Sequence, residues 1–300
     1  MRALVTGASG FLGGVVCGQL IDRGDEVFAL VRREGSAPAG TVAVRGDLGD
    51  GESVRAAVAQ AAPDVVFHLA AEIASQRSEE RIREVNVEGT RRLVEACLAA
   101  PSPPKLVFTS TVVTGEAAGA VLTEDAPLPV QTPYGASKQE GERIVLGSGL
   151  RATVVRPSHV YGPGGWYAEE MVGRLRGPGR FAVVGRGDNL WDVVHVDDVA
   201  AACLLAAGEA ADGEVFHCAD DTPITYYDFM TLTATALGLG APRRIPAALA
   251  RLHAGRHTVT AVVRSARSSN AKLKRTLGWA PRYPSAAAGV PAAVAALPPE

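Results

Sequence analysis

Arg2-Ala3-Leu4-Val5-Thr6-Gly7-Ala8-Ser9-Gly10-Phe11-Leu12-Gly13 opens the chain. An apolar run, a glycine-spaced loop and then an amphipathic helical pattern follow one another without a break. A loop of this kind aims backbone N–H groups and a helix N-terminus at one point in space, and that arrangement suits a pyrophosphate. Glycines are required where a side chain would block close approach. Position after a first strand and before a helix separates this loop from an ordinary Gly-rich turn, so it reads as a dinucleotide site. The candidate contacts are Gly7, Ser9, Gly10, Phe11, Leu12 and Gly13.

Outward from this loop, short apolar runs alternate with helical segments through the first 160 residues. The strand candidates are Ala3 to Val5, Glu26 to Val31, Thr41 to Val44, Val65 to Leu69, Leu106 to Ser110 and Thr153 to Arg156. The helical segments are Phe11 to Arg23, Glu52 to Ala61, Ile82 to Ala99 and Gly135 to Leu146. Near-continuous apolar strands separated by helices imply βαβ units, hence an α/β fold with a doubly wound parallel sheet. After Tyr161 the pattern changes to Gly, Pro and Trp punctuation, and the run Glu214 to Cys218 is expected to rejoin the sheet. This predicts a dinucleotide domain from 1–160 plus roughly 188–220. A smaller, mostly helical substrate domain is expected from 161–187 and 221–300.

Composition narrows the function. Of 300 residues, 47% are hydrophobic and 21% charged, which excludes a disordered or fibrous chain. Thirty basic and 32 acidic residues give a net charge of −2 with no basic block, so neither nucleic acid nor a membrane surface is an expected partner. Cys17, Cys97, Cys203 and Cys218 are widely spaced and read as small core residues, not as a disulfide or zinc set. The chain opens directly on a strand, and no apolar stretch reaches the ~18 residues of a membrane helix. The expectation is a soluble, cytoplasmic protein acting on a small-molecule substrate.

A second motif carries the chemistry. Tyr134-Gly135-Ala136-Ser137-Lys138 places a phenol and an amine four residues apart, on one helix face. A phenol titrating near 10 is a poor proton carrier at neutral pH, and a neighbouring cation is expected to lower it. Strand-end hydroxyls at Thr109, Ser110 and Thr111 stand just upstream. The second strand ends Val31-Arg32-Arg33. An NAD-selective site would place a carboxylate there for the ribose 2′-OH, whereas two guanidiniums suit a 2′-phosphate. NADP(H) is therefore expected over NAD.

The Thr6-Gly7-Ala8-Ser9-Gly10-Phe11-Leu12-Gly13 spacing resembles the short-chain dehydrogenase/reductase superfamily, and most of all its extended branch, the epimerase/dehydratase family. Supporting stretches are Gly46-Asp47-Leu48, His68-Leu69-Ala70-Ala71, Asn86-Val87-Glu88-Gly89-Thr90, the Tyr134–Lys138 motif, and Arg156-Pro157-Ser158-His159-Val160-Tyr161. The resemblance implies a Rossmann fold and a homodimer paired through the helices Ile82 to Ala99 and Tyr134 to Leu146. It also implies adenine contacts at Asp47 and Leu48, ribose contacts at Leu69, Ala70 and Ala71, and nicotinamide contacts at Pro157, His159 and Val160. It selects Ser110 as the hydroxyl that orients the substrate oxygen, Tyr134 as proton carrier, Lys138 as its tuning and ribose-holding cation, and Asn86 as support.

Departures from the family pattern point to the substrate. Dehydratase members carry Asp-Glu after the catalytic hydroxyl, where this chain has Thr111-Val112. Sugar-nucleotide enzymes usually carry an Arg where this chain has Trp191, and an indole cannot replace a cation against two phosphates. The pattern looks more like hydroxysteroid-dehydrogenase and dihydroflavonol-reductase relatives. Thr111, Trp166 and Trp191 are candidate substrate contacts. His195-Val196-Asp197-Asp198 reads as a strand end with an Asp helix cap, not as a metal site. The expected function is hydride transfer between NADP(H) and a carbonyl/alcohol carbon of a small or lipophilic substrate. The alternatives are a nucleotide-sugar epimerase or 4-ketoreductase, and a non-catalytic NADP sensor, which would have no use for the Ser/Tyr/Lys set.

Overall fold

A computed structural model describes residues 1–73, 78–177, 181–246, 248 and 264–298. Within the expected small domain, residues 178–180, 247, 249–263 and 299–300 lie outside the described residues. Seven parallel strands form the central sheet: β1 (Arg2–Thr6), β2 (Glu26–Val31), β3 (Val42–Arg45), β4 (Val65–His68), β5 (Lys105–Thr109), β6 (Ala152–Pro157) and β7 (Val215–Cys218). Their spatial order is β3-β2-β1-β4-β5-β6-β7, so the sheet is doubly wound and reverses direction between β1 and β4. Strands buried on both faces explain the near-continuous apolar runs. Ala3, Leu4 and Val5 of β1, and Leu106, Val107 and Phe108 of β5, are fully buried.

Two apolar layers cover the sheet. On one face, α1 (Phe11–Asp22) supplies Val16, Cys17 and Leu20 against Val199, Ala202 and Cys203 of Val196–Ala206. On the other, α2 (Gly51–Ala61), α3 (Gly89–Leu98) and α4 (Pro133–Leu146) bury Val54, Leu93, Cys97 and Val145. A third core gathers Tyr161, Tyr167, Met171, Trp191, Phe229, Met230 and Val290. Leu273 and Trp279 of the C-terminal segment pack instead onto the first face of the sheet. All four cysteines are buried. No helix among the described residues is long and apolar enough to cross a membrane.

The sequence pattern predicts one helix from Ile82 to Ala99, but the structure breaks it. A short helix, Glu79–Arg83, passes into a wider π-type turn at Glu84–Glu88 before α3 begins. Such turns are uncommon and gather at functional positions. Here the widened turn faces Asn86 inward, where its side chain makes three hydrogen bonds. Val87, Leu93 and Val94 of this stretch are committed to the core, which leaves Leu98 as its exposed large apolar residue.

Candidate active site

The C-terminal ends of β1, β4, β5 and β6 lie side by side and carry the residues singled out in the sequence. After β1, Gly7 takes a left-handed φ of +69°. A Cβ there would stand 2.8 Å from the Ala70 backbone, and a Cβ on Gly13 would stand 2.0 Å from the Gly7 carbonyl oxygen. The loop therefore closes only with glycine at both positions. α1 starts at Phe11 with Gly10 as N-cap and no side chain capping it, so its first N–H groups point out of a bare backbone end. That bare, glycine-spaced end is a fit for a pyrophosphate. Ser9 and Gly10 are exposed beside it. The Phe11 ring is packed under Gly162, Gly164 and Gly165, and Leu12 leans on the core, both remaining half-exposed.

Along the same edge, Arg32 and Arg33 are exposed just past β2 and make no side-chain contact among the described residues. Asp47 is exposed, its carboxylate accepting from the Gly49 N–H at 2.9 Å, whereas Leu48 is buried and serves the core. Leu69, Ala70 and Ala71 are half-buried beyond β4. His159 and Val160 are half-buried beyond Pro157.

Ser110 immediately follows β5, is 4% exposed, and its hydroxyl has no hydrogen-bond partner among the described residues. A buried unpaired hydroxyl costs about 1–3 kcal/mol, which a ligand oxygen would relieve. Thr111 differs. Its hydroxyl donates to the Pro157 carbonyl at 3.3 Å and accepts from the Val113 N–H at 2.9 Å, so it is occupied with the backbone.

α4 brings Tyr134 and Lys138 to this edge. Thr132 caps the helix by accepting from the Gly135 N–H at 3.0 Å, and Pro133 stands at the first helical position. Arg156 of β6 holds the helix through two hydrogen bonds to Glu142, at 2.9 and 2.5 Å. Lys138 is buried with its ammonium 4.2 Å from the centre of the Phe108 ring. Burial drives Lys138 down to about 7 against the opposing pull of Glu142. Burial pushes the half-exposed Tyr134 phenol up to about 12. The expected lowering of the phenol by its neighbour is therefore not met: burial raises it, and no hydrogen bond joins the two groups.

One of the two candidate indoles is placed more deeply than the sequence implied. Trp191 is 8% exposed, stacks on His159 at 4.2 Å and 13°, and meets Tyr226 at 4.5 Å, so it is mainly core. The Trp166 indole donates to the Val160 carbonyl at 2.7 Å, which ties it to the strand end carrying His159. His195, not an aspartate, caps the helix Val196–Ala206, and Asp198 instead accepts the backbone N–H groups of Arg282 and Tyr283.

Three further side chains stand in the neighbourhood of Ser110 and Tyr134, of which sequence reasoning missed Arg264. Ser158 is buried with an unpartnered hydroxyl, although it lies inside a stretch already singled out. Thr114, also buried and unpartnered, packs against Gly135 beside Tyr134. Arg264 is buried and donates to the carbonyls of Val112 and Gly115, on the loop that follows Ser110. Nothing local announces Arg264, which is 149 residues from Gly115 in the chain.

Residues 3–219 match the model of the NAD dependent epimerase/dehydratase family. The chain belongs to this family. Its relatives are reductases and epimerases of the extended short-chain dehydrogenase/reductase type. A 3-diazoavenalumate denitrifying reductase of a Streptomyces species is 35% identical over 95% of this chain and 97% of its own length. A 2-alkyl-3-oxoalkanoate reductase of Stenotrophomonas maltophilia is 32% identical, covering 81% of this chain and 77% of that protein. Among solved structures, the Thermus thermophilus UDP-glucose 4-epimerase complex with NAD is 28% identical, with a TM-score of 0.83 over 99% of this chain and 98% of that one.

Proposed function

We propose that this family member is an NADP(H)-dependent reductase that moves a hydride between nicotinamide and a carbonyl/alcohol carbon of a small or lipophilic substrate. The observation that carries the reading is the buried, unpartnered Ser110 hydroxyl on the same sheet edge as Tyr134 and Lys138. A bound nicotinamide cofactor supplies the hydride. Ser110 donates to the carbonyl oxygen where negative charge develops. Tyr134, fully protonated at neutral pH, gives that oxygen its proton, and Lys138 compensates the phenolate left behind. Gly7 to Gly13 would hold the pyrophosphate, Asp47 the adenine, Leu69 to Ala71 the ribose side, and Pro157 to Val160 the nicotinamide amide. Asn86 supports the π-type turn next to this cleft.

A reductase is favoured over a nucleotide-sugar enzyme because Trp191 is a buried indole where a diphosphate would need a cation. The reductase names of the two relatives agree with this. Incubating the protein with NADPH and a panel of 3-oxoacyl esters, aryl ketones, steroids and UDP-glucose, and following loss of the reduced nicotinamide, tests it. NADPH consumption with a ketone supports the reading. Conversion of UDP-glucose without net NADPH loss would replace it with the epimerase.

Once a substrate is in hand, Ser110→Ala is expected to lower kcat by about 10²–10³-fold, the worth of one donor to a developing oxyanion. The ligand-free protein should be no less stable, since the lost hydroxyl pairs with nothing.

The NADP(H) preference rests on Arg32 and Arg33, both exposed, unpaired and free to meet a 2′-phosphate. The Thermus relative's complex with NAD speaks for the opposite choice, so titration decides. Arg32→Ala is expected to weaken NADP binding by roughly 10- to 150-fold, equivalent to ~1.5–3 kcal/mol for a charge-assisted hydrogen bond, and to leave NAD binding unchanged. Equal wild-type affinity for the two nucleotides overturns the preference.

A further inference from the structure

A line of buried polar side chains runs beneath the site. Thr6, at the end of β1, stands opposite His68, at the end of β4, in the sheet register. The Thr6 hydroxyl lies 2.7 Å from His68 Nδ1, His68 Nε2 lies 2.9 Å from the Thr90 hydroxyl, and that hydroxyl lies 2.7 Å from the Asn86 carbonyl. Asn86 Nδ2 donates at 2.9 Å to the Ser137 hydroxyl, which in turn donates at 2.8 Å to the Tyr134 carbonyl. Thr6, His68 and Thr90 are 0% exposed, and Asn86 is 1% exposed.

Hydrogen positions follow from the chemistry of the partners. A carbonyl only accepts, so the one Thr90 hydroxyl hydrogen goes to Asn86. Thr90 is then the acceptor for His68, which fixes the ring hydrogen on Nε2. Nδ1 must accept, and Thr6 donates to it while its own oxygen accepts the Ala70 N–H at 3.2 Å. The ring is neutral: burial, reinforced by the nearby charge of Lys138, holds it down to about 3. Each hydrogen in the line thus has one place, and the assignment is unique.

We propose that this line is a tie between the cofactor loop and the helix that carries Tyr134 and Lys138, with His68 and Thr90 as its positioning residues. It rests on the reading that Gly7 to Gly13 hold a nicotinamide dinucleotide. One end is the residue before Gly7, which also holds Ala70 of the ribose-side segment, and the other end is the backbone of Tyr134. A histidine and a threonine that only filled the core could be replaced by apolar groups of similar shape at little cost to ligand binding. Here, cutting the line at Thr90, which stands outside the expected cofactor contacts, should loosen the loop at its far end.

The test is titration of the full-length protein with NADP and with NAD by calorimetry, needing no substrate, alongside imidazole ¹⁵N NMR. Thr90→Val is expected to weaken nucleotide binding about fivefold or more, in the range of ordinary coupling between sites, and to scramble the His68 tautomer. Thr90→Ser, which keeps the hydroxyl, should bind within about twofold of wild type. A purely structural role would lower Tm in Thr90→Val but leave its affinity unchanged. Binding within twofold of wild type, with the tautomer scrambled, overturns the tie while leaving the cofactor site standing. Wild type binding neither nucleotide overturns the site itself, and the tie with it. If Thr90→Val does not fold, Ser137→Ala cuts the line nearer Tyr134, and there nucleotide binding about fivefold weaker supports the tie whereas binding within about twofold of wild type overturns it.

Discussion

Tyr134→Phe is expected to lower turnover by about 10²–10⁴-fold, the usual worth of a positioned proton carrier, with nucleotide affinity close to wild type. The change removes one oxygen and keeps the ring, so the α4 cap at Thr132 and the Arg156–Glu142 clamp are untouched. The phenol makes no hydrogen bond among the described residues, so its removal leaves none of them unpaired. Its position near 12 makes it an acid throughout the neutral range. Rates measured with the substrate found by the NADPH panel check this. Unchanged turnover in Tyr134→Phe means that the proton comes from another donor, and the Ser/Tyr/Lys assignment then fails.

Most of the strands were readable because they are buried on both faces, and an apolar run of four to six residues has few other uses; the edge strand β3 is the exception, with Val42, Ala43 and Arg45 exposed. Glu26–Val31 is predicted and observed with the same limits, and Glu214 to Cys218 rejoins the sheet beside β6 as expected. The break at Glu84–Glu88 was not readable. Its residues have helical spacing, and the widened turn answers to Glu72 and Ser137, partners brought in from elsewhere in the chain. The same holds for Arg264, whose carbonyl partners lie 149 and 152 residues away in the chain. Trp191 illustrates a different limit. Its replacement of an arginine was visible, but an indole at a cleft wall and an indole in a core are the same letter, and only packing tells them apart. The phenol's titration was misjudged for a related reason. A four-residue spacing fixes a shared face and says nothing of how much water that face keeps.

Lys138→Met should separate stability from function, moving them in opposite directions. The ammonium is buried, contacts the Phe108 ring and lacks a paired carboxylate, since Glu142 is engaged with Arg156. A lysine brought from 10.5 to about 7 is penalised in the folded state by on the order of a few kcal/mol at pH 6. The cation–π contact returns only about 0.5–2 kcal/mol. Methionine fills the same channel without charge, so the ligand-free variant is expected to have a higher Tm than wild type. The sign with pH follows from proton counts. Between about 7 and 10.5 the unfolded lysine holds a proton that the folded one has released, so wild-type stability gains with rising pH across that window. The Tm gap between variant and wild type should therefore be widest near pH 6 and shrink toward pH 10. Turnover should fall as far as in Tyr134→Phe, because the phenolate formed in the reaction loses the cation four residues along its own helix. Nucleotide binding should weaken as well, by roughly 10- to 150-fold if the amine holds the ribose. Thermal melts at the two pH values with cofactor titrations check all three. A variant less stable than wild type at pH 6 would show that the buried charge is compensated by more than Phe108. A variant that binds nucleotide normally would remove Lys138 from the cofactor site.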